Sequence, residues 1–373
     1  MRQSGFSSAA VVSKIERALL IGLEFPKDET PLAVSLPELQ RLAETAGAVV
    51  VGQLTQKRPR PDPAFFIGSG KIEEIKALAA AKQATLIIFD HELSPAQERN
   101  LEEATNLKVV DRTELILDIF AQHARSREGK LQVELAQNSF QLTRLSGHGA
   151  SMSRLGGGIA TRGPGETKLE YDRRHIRAKI SQLKKEIDKL AAERERNREN
   201  RRRSQVLTAA LVGYTNSGKS TLLNALTDAG VLTQDKLFAT LDPTTRRLYL
   251  PSGKVVLLTD TVGLIQKLPH SLVAAFRATL EEISGADLLI HVVDIANVDH
   301  EQQISAVYQV LEELNSIAKP LITVFNKLDR SGVKLAKNIL KKYQPAVALS
   351  ALQRTGLDKL LATIDARLPA LSA

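Results

Sequence analysis

The first third of the chain alternates two kinds of apolar pattern. Residues 18–23, 48–54, 85–89 and 108–110 are short continuous runs, while 36–46, 72–81 and 94–104 space their apolar residues at three- and four-residue intervals. Continuous runs suit strands buried on both faces, and the spaced stretches suit amphipathic helices. The pattern therefore predicts a small parallel α/β domain over 17–125, after an extension of residues 1–16. Gly68-Ser69-Gly70-Lys71 reads as a turn into a helix starting near Ile72. His91 and Glu92 follow a predicted strand and read as part of a helix-entry loop through Ser94-Pro95. This region shows no nucleophile, paired carboxylates or metal cluster, so a docking module is expected.

The pattern then changes to two seams. Leu131, Leu135, Asn138, Leu142 and Leu145 repeat at helical spacing, and Ile176, Ile180, Leu183, Ile187 and Leu190 repeat likewise. Two such seams around one connection predict an antiparallel helical hairpin over 126–203, each helix covering the other's apolar stripe. The connection, 146–165, contains seven glycines with His148, Arg154 and Arg162. It reads as a tip loop, with Arg154, Arg162, Gly156, Gly157 and Gly158 as candidate RNA contacts; a flexible linker is the plainer alternative.

From 204 to 373 the strand-and-helix alternation returns and carries motifs at the strand ends. Residues 209–212 form an apolar run that leads into Gly213-Tyr214-Thr215-Asn216-Ser217-Gly218-Lys219-Ser220, followed by a helical stretch from Thr221 to Leu226. This is a phosphate-binding loop in its required strand, loop, helix context. Its backbone N–H groups and helix N-terminus face an anion, Lys219 reaches the β- and γ-phosphates, and the Ser220 hydroxyl suits Mg²⁺. A second run, 255–259, ends in Asp260-Thr261-Val262-Gly263. There Asp260 can hold Mg²⁺ through water and the Gly263 amide can sense a γ-phosphate.

A third run, 320–325, delivers Asn326-Lys327-Leu328-Asp329. The Asp329 carboxylate can accept from the N1–H and N2–H₂ of guanine together. Adenine offers neither donor, so the predicted ligands are GTP and GDP. Ser350-Ala351-Leu352, after the strand 345–349, would present backbone to the guanine O6. Between these motifs, Phe238-Ala239-Thr240-Leu241-Asp242 and the following Pro243-Thr244-Thr245 form the expected first switch. Its three threonines are equal candidates for the Mg²⁺ and γ-phosphate contact. Leu264 stands where Ras-like enzymes place a water-orienting glutamine, so slow hydrolysis is expected, with water positioned by Gln266, by backbone or by a partner.

The octet 213–220, Phe238 to Thr244 and Asp260 to Ile265 resemble the HflX family of translational GTPases, in the Obg-HflX group. The likeness extends upstream through 66–71, 91–95 and 156–167 and covers about 18–368. It implies that Thr240 is the magnesium-sensing threonine, which makes Lys219, Thr240, Asp260 and Gly263 the candidate catalytic set. It also implies association with the large ribosomal subunit and its rRNA near the peptidyl-transferase region, and splitting or rescue of stalled ribosomes. Asn216 matches an asparagine that holds K⁺ in some related GTPases; a loop-capping role is equally open.

Composition narrows the alternatives. The 373 residues carry a formal net charge of +9 and no cysteine, which excludes disulfides and thiolate metal sites. No apolar run approaches the ~18 residues needed to span a bilayer, so a soluble cytoplasmic protein, monomeric when free, is expected. Residues 141–203 hold seventeen Lys and Arg against eight Asp and Glu, so this one segment carries a surplus equal to the whole chain's. Such a stripe is the footprint of a phosphate backbone. Three classes remain open on these residues: a ribosome-bound GTPase, a GTP-dependent remodelling or assembly factor acting on free RNA, and a regulatory switch whose hairpin binds protein. The charged run 193–203 reads as a solvated helix end or as a strut coupling hairpin to GTPase.

Overall fold

The computed structural model describes residues 15–26, 28, 30–152, 164–203, 206–227, 237–238, 240–265, 280–331 and 339–368. Its chain divides into two compact units, one of residues 1–93 and 97–115 and the other of 94–96 and 116–373.

The first unit is the expected parallel α/β layer. Strands β1 (Arg17–Glu24), β2 (Val49–Lys57), β3 (Leu86–Phe89) and β4 (Lys108–Asp111) form a sheet in the order β2-β1-β3-β4, with every pairing parallel. Helices α1 (Leu32–Thr45), α2 (Ser69–Lys82) and α3 (Pro95–Thr105) alternate with them, and α4 (Arg112–His123) follows. Strand β1 is buried along nearly its whole length, as a central parallel strand must be, whereas the edge strand β2 is half-exposed. Helix α2 starts at Ser69, three residues earlier than expected, with the extended Gly68 before it. Arg112 is buried between Glu38 and Asp90, at 3.0 and 2.9 Å, and this triad joins the middle of α1 to the end of β3 and the start of α4.

The second unit contains the hairpin and the large sheet. Helix α5 (Arg127–Met152) pairs with α6 (Pro164–Arg203). Glu128 meets Arg194 at 2.7 Å while Glu134, further along α5, meets Lys179, earlier in α6, at 3.0 Å, so the helices are antiparallel. On α6 the seam is as expected, with Ile176 and Leu183 buried. On α5 the buried positions include Gln132, Val133 and Ala136, flanked by half-buried Leu131 and Leu135, so that seam is broader than its leucine repeat. Asn138 satisfies its amide on the Glu134 carbonyl of its own helix, at 2.7 Å.

The tip loop drawn over 146–165 is shortened, because helix propagation carries α5 to Met152 and Pro164 occupies the first turn of α6, where its missing N–H costs nothing. Arg154, Gly156, Gly157, Gly158 and Arg162 lie outside the described residues. Ile116 onward groups with the second unit, where the Phe120 ring packs edge-on against Phe238 at 4.6 Å.

The large sheet has the order β10-β9-β8-β5-β7-β6. Its strands are β5 (Leu207–Val212), β6 (Thr244–Tyr249), β7 (Val255–Asp260), β8 (Leu288–Asp294), β9 (Leu321–Asn326) and β10 (Ala346–Ala348). Only β6 runs antiparallel, against β7. Because β5 lies between β7 and β8, the chain order reverses around it. The crevice beyond the carboxyl ends of these strands is where doubly wound sheets bind ligands. Helix α7 (Lys219–Thr227) follows β5, a helical segment α8 (280–285) precedes β8, and α9 (His300–Glu313) follows it. Among the described residues no helix is long and apolar enough to cross a membrane.

Candidate nucleotide site

Strand β5 ends at Val212 and the chain turns at once into the phosphate loop, which closes on Lys219 at the start of α7. Gly218 adopts φ +94°, and a Cβ there would collide with the Asn326 amide nitrogen, so the loop needs glycine on both counts. Tyr214, Thr215, Ser217 and Lys219 are buried, while Asn216, at φ 59°, is half-buried. Among the described residues, the Thr215 Oγ1 and Ser217 Oγ atoms are buried without a hydrogen-bond partner.

The Lys219 ammonium donates to the carbonyls of Gly213 (3.1 Å) and Tyr214 (2.9 Å). Burial pulls its pKa down to about 8; Asp260 opposes that shift and Lys327 adds to it. Asp260, at the end of β7, is held above the usual carboxylate range by burial, against the pull of Lys219 and of hydrogen bonds from Ser220 and Thr240. Underneath, His291 of β8 lies edge-on to Tyr308, and burial with the Lys219 charge lowers its pKa to about 3, so it is neutral. Its place in an apolar strand gave no sign of this proximity.

Three oxygens converge beside Lys219. Ser220 Oγ lies 2.8 Å from Thr240 Oγ1 and 2.7 Å from Asp260 Oδ2, and Thr240 Oγ1 lies 3.1 Å from the same carboxylate oxygen. The second oxygen, Asp260 Oδ1, is buried and has no hydrogen-bond partner among the described residues. Hard oxygen donors clustered around an unsatisfied carboxylate fit the chemistry of Mg²⁺. Among the described hydrogen bonds, Thr240 is the switch threonine that joins the cluster, while Thr245 is engaged with Thr259 across β6 and β7, at 2.9 Å.

Beyond Asp260 the chain is clasped to the phosphate loop. Thr261 donates to the Leu211 carbonyl at 2.6 Å, the Thr215 amide to Leu264 O at 2.8 Å, and the Leu264 amide to Gly213 O at 3.1 Å. A Cβ on Gly263 would stand 2.7 Å from the Thr215 Cα, so only glycine allows this approach. Val262 and Leu264 are buried, and an aliphatic side chain at 264 cannot orient water; Gln266 lies outside the described residues.

On the other side, Asn326 acts as a brace. Its amide donates to Ser217 O at 3.0 Å and its carbonyl accepts from the Ala351 amide at 2.9 Å. Lys327 donates to Asn216 O and pairs with Asp294, both at 2.8 Å. The Leu328 amide reaches Leu349 O at 3.3 Å, and Ser350 Oγ donates to the Asp329 carboxylate. Leu352 is exposed, and Thr221 is half-buried within α7.

Two expected nucleotide-facing residues are engaged elsewhere. Phe238 packs on Phe120, and the Asp242 carboxylate accepts from the start of α5. Leu241 between them is buried, and Ala239 lies outside the described residues. Nothing in the sequence pattern pairs positions 116 and more residues apart.

Residues 33–121, 123–201 and 208–327 match the families described as "GTP-binding GTPase N-terminal", "GTP-binding GTPase Middle Region" and "50S ribosome-binding GTPase". GTPase HflX of Caldanaerobacter subterraneus is 52% identical over 95% of this chain and 81% of its own length. GTPase HflX of Escherichia coli is 48% identical over 84% of this chain and 73% of its own length. Among solved structures, the SsGBP complex with GDP is 26% identical, with a TM-score of 0.53, over 94% of this chain and 98% of that one.

Proposed function

Since this chain belongs to the HflX family of GTPases and hydrolyses GTP, we propose that it works in the cytoplasm on the large ribosomal subunit, where its GTP form splits or rescues stalled ribosomes. The observation that carries this reading is the basic hairpin of α5 and α6, joined in one compact unit to a domain matching the 50S ribosome-binding family. The positive surplus of 141–203 suits the rRNA backbone, and the tip between the helices, with Arg154, Arg162 and Gly156 to Gly158, supplies the RNA contact.

In this reading the loop 213–220 and Lys219 hold the phosphates, and Asp329 with Ser350 to Leu352 reads the guanine. Asn326 and Lys327 brace the two halves. Ser220, Thr240 and Asp260 would hold Mg²⁺, Asp260 through water, and the ion when bound would neutralise charge on the phosphates. Gly263 senses the γ-phosphate. Asn216 would either hold K⁺ or cap the loop, and the comparison of potassium with sodium buffers below separates the two. With Leu264 in place of a polar residue, water is left poorly oriented, so turnover is slow alone and rises when the partner completes the site.

The test is GTP turnover by the purified chain, alone and with large ribosomal subunits, in potassium and in sodium buffers. A rate raised at least about tenfold by subunits supports the proposal; indifference to them rejects it and favours action on free RNA or on a protein. RNA-backbone binding should also weaken by ~10³ or more between low and moderate salt for about six phosphate contacts.

A further inference from the structure

The first switch leaves the phosphate side of the molecule twice, on either side of its key threonine. Two residues before Thr240, Phe238 is buried against the Phe120 ring of α4. Two residues after it, Asp242 caps the start of the hairpin: Oδ2 accepts from the amides of Arg125 (2.9 Å) and Ser126 (2.7 Å), and Oδ1 accepts from the Ser126 hydroxyl. The same hydroxyl accepts from the Gly129 amide at 2.8 Å, so the carboxylate is tied into the first turn of α5. An anion at a helix N-terminus with three donors is a charge-assisted arrangement and a stiff one. Thr240, suspended between these anchors, is the residue that meets Ser220 and Asp260.

We propose that Ser126 and the first turn of α5 are positioning elements for GTP hydrolysis: through Asp242 they hold the first switch so that Thr240 reaches the Ser220 and Asp260 oxygens. The base of the hairpin is thus part of the GTPase machinery. Anything that tilts α5 acts on Thr240 through the short tether Thr240-Leu241-Asp242, with no need for a contact at the nucleotide. The inference rests on the chain's GTPase activity and is independent of what the hairpin binds.

Gly129 supplies a perturbation that leaves the switch sequence untouched. A Cβ at this position would collide with Asp242 Oδ1. Alanine favours a helix over glycine, so Gly129→Ala strengthens α5 locally while expelling the carboxylate. The experiment is single-turnover GTP hydrolysis by the full chain without ribosomes, with the Mg²⁺ midpoint and the affinity for fluorescent GDP measured alongside. Gly129→Ala and Asp242→Asn should each lower the hydrolysis rate about 10- to 100-fold, as expected for a misplaced site group. They should raise the Mg²⁺ midpoint of hydrolysis and leave GDP affinity within about twofold, because the GDP complex has no γ-phosphate for Thr240 to help hold. Ser126→Ala should act in the same direction and Ser126→Thr, which keeps the hydroxyl, should recover most of the rate. Lys76→Ala, which breaks the Glu73 pair on α2 in the first unit, should leave the rate unchanged. A rate and Mg²⁺ midpoint unmoved by both Gly129→Ala and Asp242→Asn would overturn the proposal, as would parallel loss of rate and GDP affinity.

Discussion

Raising the pH from 7 to 9 should weaken GDP binding by about tenfold, and the cause is Lys219. With burial holding its pKa at about 8 in the nucleotide-free protein, about nine in ten molecules carry a neutral lysine one pH unit higher. A bound phosphate favours the ammonium and raises that pKa, so at pH 9 binding must take up a proton. Sign and size follow: the charged form is the binding form, its loss lies above the depressed pKa, and the penalty at pH 9 is about 1.4 kcal/mol relative to pH 7. Titration calorimetry in two buffers of different ionisation heat measures both affinity and proton uptake. Uptake should rise from near zero at pH 7 to almost one proton at pH 9. The range stops there because the N1–H of guanine itself begins to ionise beyond it. In Lys219→Arg the guanidinium keeps its charge, and whatever weaker affinity remains should be flat across the range. A wild-type affinity that changes less than twofold, with no proton uptake, would refute the argument and show that Lys219 stays charged within the loop.

Two further outcomes follow from single side chains. Gly218→Ala places a methyl group on the Asn326 amide at φ +94°, and strain of about 1–3 kcal/mol should appear as weaker binding in a fluorescent GDP titration; unchanged affinity would mean that the Asn326 brace is dispensable. In the first unit, Asp111 is buried and its pKa is raised to about 6, chiefly by desolvation and against the amides of Glu114 and Leu93. A carboxyl whose pKa rises on folding contributes stability that is full below about pH 4 and is lost as pH climbs through about 6, some 3 kcal/mol in all. Hydrogen exchange of the β4 and α4 amides should therefore show Asp111→Asn gaining on the wild type between pH 4 and 7, and a constant difference would count against the burial argument.

The local rules read the elements well where one physical cause dominates. The continuous apolar runs at 18–23, 85–89 and 255–259 became buried parallel strands because their residues have no polar face to turn outward. The octet 213–220 formed its loop because Gly213 and Gly218 admit backbone geometry that other residues resist. Where several causes compete, the sequence was less informative. Glycines at 147 and 149 suggested a loop, yet helix propagation from α5 runs through both. The leucine repeat on α5 marked a seam, yet Gln132, Val133 and Ala136 are more deeply covered than its leucines.

By itself, then, the order of residues determined the alternation of strands and helices, the loop 213–220, the Asn326 to Asp329 motif at the end of β9 and the hairpin, since each follows from spacing within a few turns or a single strand end. Tertiary structure decided which of three threonines meets Ser220 and Asp260, that Asn326 braces Ser217 to Ala351, that His291 lies neutral beneath Lys219, and that Asp242 caps a helix more than a hundred residues earlier. Those pairings depend on which strand ends the sheet order brings side by side and on where the hairpin base meets the switch. Spacing along a chain carries no record of such meetings, because they are set by the burial of surfaces belonging to distant segments.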